Sequence, residues 1–307
     1  MTKVFIDGSA GTTGLRIADR LALRQDLELI KLPEALRKDA DARKDAINSA
    51  DIVFLCLPDA AAMEAVSLTE NPNVKIIDTS TAHRTNPAWT YGFPELAGQR
   101  QKILSSNRIA NPGCHASGFV ALVAPLVQNG ILPADTALTC FSLTGYSGGG
   151  KQMIAEYESQ DRPPLLKGPR QYALTQSHKH LKEMVALCDL GTAPIFCPIV
   201  ADFYSGMEVT VPVFQKDING SIDDIRQLYR NYYTGGLVRY DDETDPDGML
   251  SAAAFSGRDD MLLSVFGNED RILLTARFDN LGKGASGAAI QNMNLLLGCE
   301  ETTGLNV

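Results

Sequence analysis

Apolar runs typical of β-strands alternate with helical patterns over the first hundred residues of the chain. The strand-type runs cover residues 3–6, 27–32, 51–57 and 74–78, and the helical patterns cover residues 13–23, 39–48 and 60–68. Strands separated by helices of this length indicate crossover connections and a parallel sheet with both faces covered. We therefore expect residues 1–112 to form a doubly wound, Rossmann-type nucleotide-binding domain.

The pattern changes from about Cys140 onward, where apolar runs follow one another with few helical segments between them. These runs cover residues 137–143, 195–200, 207–214 and 271–278, and they are typical of a mixed or antiparallel sheet. Residues 282–297 then repeat apolar positions at helical spacing. We expect an α/β protein in which residues 113–281 form an α+β catalytic and oligomerisation domain, while a C-terminal helix within residues 282–307 packs back on the first domain.

The composition of the 307-residue chain is that of an ordinary globular protein, with 44% hydrophobic and 21% charged residues. A net charge of −9 argues against the broad basic surface that nucleic-acid binding requires. No apolar run reaches the roughly 18–20 residues that a membrane-spanning helix needs. The six cysteines form no Cys-x-x-Cys pair and no segment resembles a secretion signal, so we expect reduced thiols, no metal site and a cytoplasmic protein.

A glycine-rich turn follows the first strand and opens the first helix. Glycine at this point lets the backbone approach a pyrophosphate, and the helix N-terminus offers free N–H groups. The spacing Gly-x-x-Gly-x-x-Gly differs from the usual dinucleotide pattern, and a tight connection without a ligand is the alternative. We favour phosphate binding, and we expect the site to include Gly8, Ser9, Gly11, Thr12, Thr13 and Gly14.

The residues after the second strand bear on the choice of dinucleotide. An NAD site places an acidic residue there to hold the ribose 2′-hydroxyl, and Glu34 is available. Arg37 and Lys38 follow closely, and cations suit a 2′-phosphate. We expect NADP rather than NAD, although a solvated, charged helix start explains these residues nearly as well.

Cys114 stands between a Pro-Gly turn and an apolar helical pattern. A cysteine in the first turn of a helix feels the positive end of the helix dipole, which favours the thiolate. The N–H groups of the same turn can hold the oxyanion of a tetrahedral intermediate formed on the sulfur. We therefore expect Cys114 to be a nucleophile and the other five cysteines to be core residues. His115 is its neighbour in sequence and is expected to point elsewhere.

A thiol nucleophile works with an acid/base group, and the chain has four histidines. His178 and His180 share one turn at the start of a helical pattern, whose dipole favours a neutral imidazole. We expect His180 to exchange protons with the sulfur or the forming oxygen, and Glu183, one turn further on, to orient it. Two surface histidines without a role are the weaker interpretation.

Two further segments carry candidate binding residues. Arg84 follows a strand of the first domain, where a guanidinium can hold a carboxylate or phosphate, or else form a structural ion pair. Residues 147–151 read Ser-Gly-Gly-Gly-Lys, which is too rich in glycine for a strand interior. We expect either a flexible turn or a loop pressed flat against a ligand.

These segments, in this order, resemble the shorter form of N-acetyl-gamma-glutamyl-phosphate reductase, an NADP-dependent family of arginine biosynthesis. The resemblance runs through nearly the whole chain and rests on residues 8–14, 80–84, 111–114, 147–150, 178–180, 279–285 and 291–294. Each segment alone is weak, but the ordered set is specific. Two positions depart from the family pattern, because many relatives have an aromatic residue and a proline where this chain has His115 and Ala116, and other residues in place of Lys151.

The resemblance implies a homo-oligomer, dimer or tetramer, that binds NADP(H) and N-acetyl-glutamyl phosphate. Cys114 would attack the acyl phosphate, phosphate would leave, and hydride from NADPH would convert the thioester to N-acetyl-glutamate semialdehyde. His180 would handle the protons, while Arg84 would bind an anionic part of the substrate, with His178 and Glu183 on the substrate side. The residues implied at the nicotinamide end of the cofactor are Ser147, Gly148, Gly149 and Asn280.

Three other functions fit parts of the pattern. Aspartate-semialdehyde dehydrogenase is similar in fold and uses the same cysteine and hydride chemistry, but the paired histidines and the ending from Asn280 to Asn294 favour the glutamyl reductase. A thiol hydrolase would have no use for a dinucleotide site. A nucleotide-sensing protein would need neither a positioned thiol nor a histidine.

Overall fold

The chain, described over residues 1–307 by a computed structural model, divides into two units. Unit 1 comprises residues 1–94, 98–112 and 285–305, and unit 2 comprises residues 95–97, 113–284 and 306–307. The C-terminal helix therefore belongs to the unit that begins the chain.

Unit 1 is built on a six-stranded parallel sheet. Its strands are β1 (Thr2–Asp7), β2 (Leu27–Ile30), β3 (Ile52–Leu55), β4 (Lys75–Asp78), β5 (Thr90–Tyr91) and β6 (Arg108–Ala110), in the order β2-β1-β3-β4-β6-β5. Its helices are α1 (Thr12–Leu21), α2 (Ala40–Ser49), α3 (Asp59–Ser67), α4 (Gln99–Leu104) and α9 (Gly287–Leu297). The order reverses direction at β1, as a doubly wound sheet requires.

Apolar residues cover both faces of this sheet. Ile17 of α1 and Met293 of α9 belong to one buried cluster, together with Val4 of β1. Ile47 of α2 and Ala62 of α3 belong to a second cluster on the other face. Because both faces are covered, the central strands read as continuous apolar runs rather than as alternating patterns.

Unit 2 is built on an eight-stranded mixed sheet with the order β11-β12-β13-β14-β10-β7-β9-β8. Its strands are β7 (Thr139–Gly145), β8 (Arg170–Gln171), β9 (Ile195–Ala201), β10 (Met207–Phe214), β11 (Thr234–Gly235), β12 (Val238–Tyr240), β13 (Met261–Gly267) and β14 (Arg271–Phe278). Its helices are α5 (Cys114–Gln128), α6 (Gly150–Glu158), α7 (His180–Cys188) and α8 (Ile222–Tyr232). Parallel pairs β7/β9 and β12/β13 interrupt an otherwise antiparallel sheet.

Helix α5 lies directly on this sheet. A Cβ at Gly118 would stand 2.6 Å from Val209 Cγ2 of β10 and 2.9 Å from Phe278 Cε1 of β14. Only glycine allows so close an approach, so the sequence of α5 fixes its distance from the strands. Cys114, one turn before Gly118, thus begins a helix that is packed closely against β10 and β14.

Two helices of unit 2 were not expected from the sequence. Residues 147–151 are not an irregular loop, because residues 146–149 form a 3₁₀ turn and α6 begins at Gly150. Helix α8 begins with a capping box in which Ser221 and Asp224 bond each other's backbone N–H. This Ser-x-x-Asp pattern was available in the sequence and marks the start of the helix. No helix of the protein combines the length and the apolar character needed to cross a membrane.

Candidate active site

Cys114 is the first residue of α5, and Gly113 before it supplies no side-chain cap to the helix. The N–H groups of the first turn are therefore not bonded by a capping side chain, and they remain at the positive end of the helix dipole. The Cys114 side chain is half-buried. A Cβ at Gly284 would lie 3.0 Å from Cys114 Cβ, so the backbone at Gly284 passes close to the thiol-bearing residue.

Glu183 ties α7 to the turn that carries Cys114. Its buried carboxylate accepts a 2.7 Å hydrogen bond from the backbone N–H of Gly113 at Oε1. The bond fixes the peptide immediately before the nucleophile candidate. The observed bond shows that Glu183 holds the start of α5, while its expected role in orienting His180 stays a prediction.

Three of the four histidines meet beside Cys114 in unit 2. His180, the first residue of α7, is buried, and its ring centroid lies 4.7 Å from that of His178 and 5.5 Å from that of His115. The His178 ring accepts a 3.2 Å hydrogen bond from the backbone N–H of His180 at Nδ1. Burial and the nearby Lys179 charge lower the pKa of His178, which favours a neutral imidazole in this cluster.

The expectation that His115 points elsewhere is wrong. Its ring is buried within the cluster, with Nδ1 2.6 Å from Ser142 Oγ and Nε2 2.6 Å from the Tyr172 hydroxyl. Helical geometry explains the error, because consecutive residues in a first turn can both face inward when sheet and loop cover the helix on two sides. The sequence carried one usable signal, namely that three of four histidines lie in two short segments.

Asn280, just after β14, is bonded to the 3₁₀ turn at residues 146–149. Its Oδ1 accepts from the Gly206 N–H at 2.9 Å, and its Nδ2 donates to Ser147 Oγ at 3.0 Å. Gly148 is exposed, and a Cβ there would lie 3.4 Å from Asn280 Nδ2. Ser147, Gly148 and Asn280 thus lie together, as expected for residues of one site, while Gly149 packs against Met153 of α6.

Asp279 organises the backbone beside Cys114. Its carboxylate accepts hydrogen bonds from the N–H groups of Gly257 at 2.6 Å and Leu281 at 2.7 Å. Its carbonyl oxygen accepts from the N–H of Gly284 at 3.0 Å. Nearby, the buried Lys283 ammonium donates to Glu95 Oε1 at 2.7 Å. These bonds hold the turn whose glycine lies against Cys114.

The glycine-rich turn of unit 1 has the shape that a phosphate site requires. Gly8 has φ +86°, and a Cβ there would stand 2.3 Å from the Cys56 carbonyl oxygen. A Cβ at Gly14 would stand 2.4 Å from the Gly8 carbonyl oxygen, so α1 packs closely on the turn. Gly11 caps α1 without a side chain, and the Thr12 hydroxyl is buried without a hydrogen-bond partner in the chain. These residues fit a pyrophosphate at the start of α1.

A buried ion pair lies directly before the glycine-rich turn of residues 8–14. Asp7, the last residue of β1, accepts a 3.0 Å hydrogen bond from Arg43 Nε of α2. Burial raises the pKa of Asp7, and the Arg43 guanidinium opposes that rise. The pair links β1 to α2 directly before Gly8.

The remaining candidates of unit 1 lie at the carboxyl ends of its strands. Arg37 and Lys38 are exposed and follow a 3₁₀ turn at residues 34–36, just beyond β2. Arg84 donates from Nε to the Asn111 carbonyl at 2.9 Å and from Nη2 to the Thr79 carbonyl at 3.0 Å. These two bonds orient its guanidinium against the backbone after β4 and β6.

Known proteins match the chain over almost its full length. Residues 31–105 match the family described as semialdehyde dehydrogenase, NAD binding domain, and residues 114–280 match semialdehyde dehydrogenase, dimerisation domain. N-acetyl-gamma-glutamyl-phosphate reductase 2 of Nostoc sp. is 46% identical over 318 residues, covering 99% of both chains. The Brucella ovis protein named N-acetyl-gamma-glutamyl-phosphate reductase is 48% identical over 306 residues, covering 96% of this chain and 99% of that protein. The chain belongs to the N-acetyl-gamma-glutamyl-phosphate reductase family.

As a member of the N-acetyl-gamma-glutamyl-phosphate reductase family, the chain is an oxidoreductase whose first unit is a nicotinamide-dinucleotide domain. The resemblance stated from the sequence motifs is thereby confirmed. Aspartate-semialdehyde dehydrogenase, the nearest alternative, is similar in fold. The enzyme of Francisella tularensis has a TM-score of 0.72 at 16% identity, covering 97% of this chain and 100% of that chain. The Vibrio cholerae enzyme, solved with ASA, has a TM-score of 0.72 at 15% identity, covering 97% and 98%.

The fold of this reductase-family chain is therefore shared with aspartate-semialdehyde dehydrogenases, while its sequence follows the reductases. The expected α/β class, with one parallel and one mixed sheet, is confirmed. Sequence reasoning missed two members of the histidine cluster, His115 and Tyr172. Tyr172 had no recognisable signal, because only the tertiary structure brings residue 172 to the N-terminus of α5.

Proposed function

We propose that the protein reduces N-acetyl-L-glutamyl 5-phosphate to N-acetyl-L-glutamate 5-semialdehyde with NADPH, releasing phosphate, as a step of arginine biosynthesis. One observation carries the mechanism: a half-buried thiol at the N-terminus of a helix that has no side-chain cap, beside a buried histidine cluster. This arrangement suits nucleophilic attack on an activated carbonyl.

Cys114 performs the covalent step in this proposal. Its sulfur attacks the acyl carbon, the C–O bond to phosphate breaks, and a thioester remains on Cys114. The N–H groups at the start of α5 point toward the oxygen that becomes negative during the attack. The Glu183 bond to Gly113 keeps that first turn in place.

His180 moves the protons. A buried imidazole at the start of α7 takes the thiol proton as the sulfur attacks. It can later lend that proton to the oxygen of the thiohemiacetal formed by hydride addition, and it takes the proton back when the C–S bond breaks and the semialdehyde leaves. His178 and Glu183 bind the substrate beside His180. Arg84 binds an anionic group of the substrate, because a guanidinium pairs well with a carboxylate or a phosphate.

NADPH supplies the hydride that reduces the thioester when it is bound. The residues that hold its pyrophosphate are those of the turn at α1, namely Gly8, Ser9, Gly11, Thr12, Thr13 and Gly14. Ser147, Gly148, Gly149 and Asn280 hold the nicotinamide end. Arg37 and Lys38 bind the 2′-phosphate, and their exposure at the end of β2 supports a preference for NADP over NAD.

The test runs the reaction in reverse. Purified protein is given NADP, phosphate and either N-acetyl-glutamate semialdehyde or aspartate semialdehyde, and NADPH formation is followed by absorbance. We expect phosphate-dependent turnover with N-acetyl-glutamate semialdehyde. The kcat/KM for aspartate semialdehyde should be at least about 100-fold lower, because a site whose polar groups pair with one substrate leaves some of them unpaired with the other.

Cys114→Ser tests the covalent step in the same assay. We expect it to abolish turnover, while Cys299→Ser, a half-buried thiol of unit 1, retains it. Wild-type rates in Cys114→Ser would exclude the thioester. A higher kcat/KM with aspartate semialdehyde would assign the chain the other substrate. NADPH formation at the full rate without phosphate would mean that water, and not phosphate, takes the acyl group from Cys114.

We further propose that the protein is a cytoplasmic homo-oligomer, a dimer or a tetramer. The six cysteines are free thiols, as the reducing cytoplasm favours. The face of the unit 2 sheet opposite α5 exposes apolar residues on four strands: Phe141, Ile195, Phe214 and Leu273. Their alternation with buried residues puts them on one face, where a second copy can cover them.

A further inference from the structure

Asp78, the last residue of β4, has a fully buried carboxylate. It accepts hydrogen bonds from the Ser80 N–H at 2.9 Å and from the Ser80 hydroxyl at 2.7 Å, and its Oδ2 lies 2.6 Å from His83 Nδ1. A buried carboxylate carries a large desolvation cost unless donors surround it. Because these donors all belong to residues 80–83, the carboxylate holds that short segment in one conformation.

The His83 ring is fixed on two sides. An ionised carboxylate can only accept, so His83 carries a proton at Nδ1 and donates it to Asp78. The ring also stacks on Trp89, with the centroids 4.1 Å apart and 15° between the planes. Only 6% of His83 is exposed. The residue directly before Arg84 is thus held by a hydrogen bond to a charged group and by a stacked ring.

The guanidinium of Arg84 is fixed by two backbone carbonyl oxygens. Its Nε donates to the Asn111 carbonyl at 2.9 Å, and its Nη2 donates to the Thr79 carbonyl at 3.0 Å. Both of these residues are anchored in turn. The Asn111 N–H donates to the Asp78 carbonyl oxygen at 2.7 Å, and the Thr79 N–H donates to the Leu55 carbonyl oxygen at 2.9 Å. Arg84 therefore bridges the carboxyl ends of β4 and β6, the edge at which doubly wound sheets bind their ligands.

We propose that Asp78 and His83 are positioning residues for Arg84. By holding Ser80 and His83, the Asp78 carboxylate sets the path of residues 79–84 and thereby the point from which the Arg84 side chain starts. The two carbonyl bonds then set the direction of the guanidinium, which is preorganised for an oxyanion of the substrate, a carboxylate or a phosphate. The inference deepens the proposed function and rests on its assignment of Arg84 to an anionic group.

Preorganisation has a measurable value at this position. An arginine that becomes ordered only on binding loses rotamer freedom at that moment, which weakens its affinity for the anion. Loosening residues 79–84 should therefore lower the affinity for the oxyanion even though the Arg84 guanidinium is still present.

The experiment measures how well an oxyanion protects Arg84 from phenylglyoxal, a reagent that modifies guanidinium groups, with mass spectrometry of the Arg84 peptide. The probes are inorganic phosphate and N-acetyl-L-glutamate, which distinguish a site for the phosphate from a site for the carboxylate of the substrate. At least one probe should protect wild-type Arg84. Asp78→Ala removes all the bonds that the carboxylate accepts, and it should raise the probe concentration at half protection about tenfold or more.

Two His83 variants separate the hydrogen bond from the packing. His83→Asn places an amide N–H near the position of Nδ1 and should stay within about threefold of the wild type. His83→Leu has no donor and should be weakened like Asp78→Ala. Both variants lose the stacked ring, so the bond to Asp78 is the difference between them.

Asn48→Ala is the matched control, because its side chain fixes another segment of unit 1. The Asn48 amide donates to the carbonyl oxygens of Lys44 and Leu68 and accepts from the N–H groups of Glu70 and Asn71. The variant should leave the protection of Arg84 unchanged.

Turnover gives a second measurement. Asp78→Ala and His83→Leu should raise the KM for the substrate that supplies the oxyanion and leave the KM for NADP unchanged. Adding Asp78→Ala to Arg84→Ala should cause no further rise, because Asp78 acts through Arg84.

Three results would overturn the proposal: wild-type protection in Asp78→Ala or His83→Leu, equal values for His83→Asn and His83→Leu, or no protection of wild-type Arg84 by either probe. Thermal unfolding, followed by the emission of Trp89, the only tryptophan of the chain, identifies a variant that has lost its fold, and the remaining variants then decide.

Protection is measured without turnover, so the two proposals can fail separately. Weakened protection in the variants of a protein that does not oxidise N-acetyl-glutamate semialdehyde would leave this inference standing and refute the proposed function alone. Oxidation of that substrate together with unchanged protection in the variants would do the reverse.

Discussion

Cys114 is set apart by its place as the first residue of α5. The expectation that the other five cysteines are core residues holds for Cys140 and Cys188, whereas Cys56, Cys197 and Cys299 are half-buried like Cys114. Cys140 and Cys188 are buried among apolar residues, and burial raises the pKa of both thiols. Cys56 lies behind the glycine-rich turn, where burial raises its thiol pKa to about 12. Such thiols stay protonated and inert at neutral pH. Cys114 lies instead at a helix N-terminus, next in sequence to His115 of the histidine cluster.

The division of labour between the two histidines of α7 can be measured. Because His180 is buried at the helix start and His178 is half-buried before it, we expect His180→Asn to lower kcat by about 100-fold or more, with little change in the KM for NADP. His178→Asn should lower kcat less. A harmless His180→Asn together with a severe His178→Asn would assign the acid/base role to the other ring.

At the scale of elements, the proposed function relies on the start of one helix in each unit. Helix α1 begins after a turn that only glycine can form, and α5 begins at the proposed nucleophile. In both, the residue before the helix is a glycine that adds no cap of its own. The positive ends of the two helix dipoles therefore suit the proposed phosphate at α1 and the proposed oxyanion at α5.

The proposed preference for NADP rests on the segment after β2. We expect Arg37→Ala combined with Lys38→Ala to reduce kcat/KM for NADP by about tenfold or more, because a phosphate loses charge-assisted contacts. The value for NAD should change little, and the loss for NADP should shrink at high salt. Lys102→Ala, another exposed cation of unit 1, is the control. Comparable wild-type rates with NAD and NADP would contradict this assignment.

At the scale of the whole molecule, the unit 2 sheet presents two different faces. One face packs under α5, where Val209 and Phe278 are fully buried. The other exposes 45% of Phe141, 60% of Ile195 and 42% of Leu273. Apolar side chains this exposed, on neighbouring strands and on one face, are expected where a second copy binds.

The oligomer proposal predicts the effect of charge on that face. Phe141→Glu combined with Leu273→Glu should reduce the mass of the wild-type oligomer, measured by light scattering after size exclusion, because two carboxylates would be buried without partners. Leu23→Glu, which changes an exposed apolar residue of unit 1, should leave the mass unchanged. A monomeric wild type, or a double variant of unchanged mass, would rule out this face as the interface.

Local patterns were sufficient wherever a residue's role depends on its neighbours in sequence. Residues 207–214 and 271–278 were expected as strands and are β10 and β14. The turn at Gly8 and the helix start at Cys114 were also readable, because backbone conformation and helix dipoles are short-range effects. The ordered motifs likewise identified the family.

Only the tertiary structure decided which side chains meet. His115 was expected to point away and instead bridges Ser142 and Tyr172, residues 27 and 57 positions distant. Glu183 was expected beside His180, and its carboxylate also holds Gly113, 70 positions away. Such contacts depend on strand register and on how closely α5 lies on the sheet, and neither is encoded within any one segment. The sequence by itself thus determined the family and the two helix starts, at Gly11 and Gly113, on which the proposed function relies, whereas packing decided which side chains meet around Cys114.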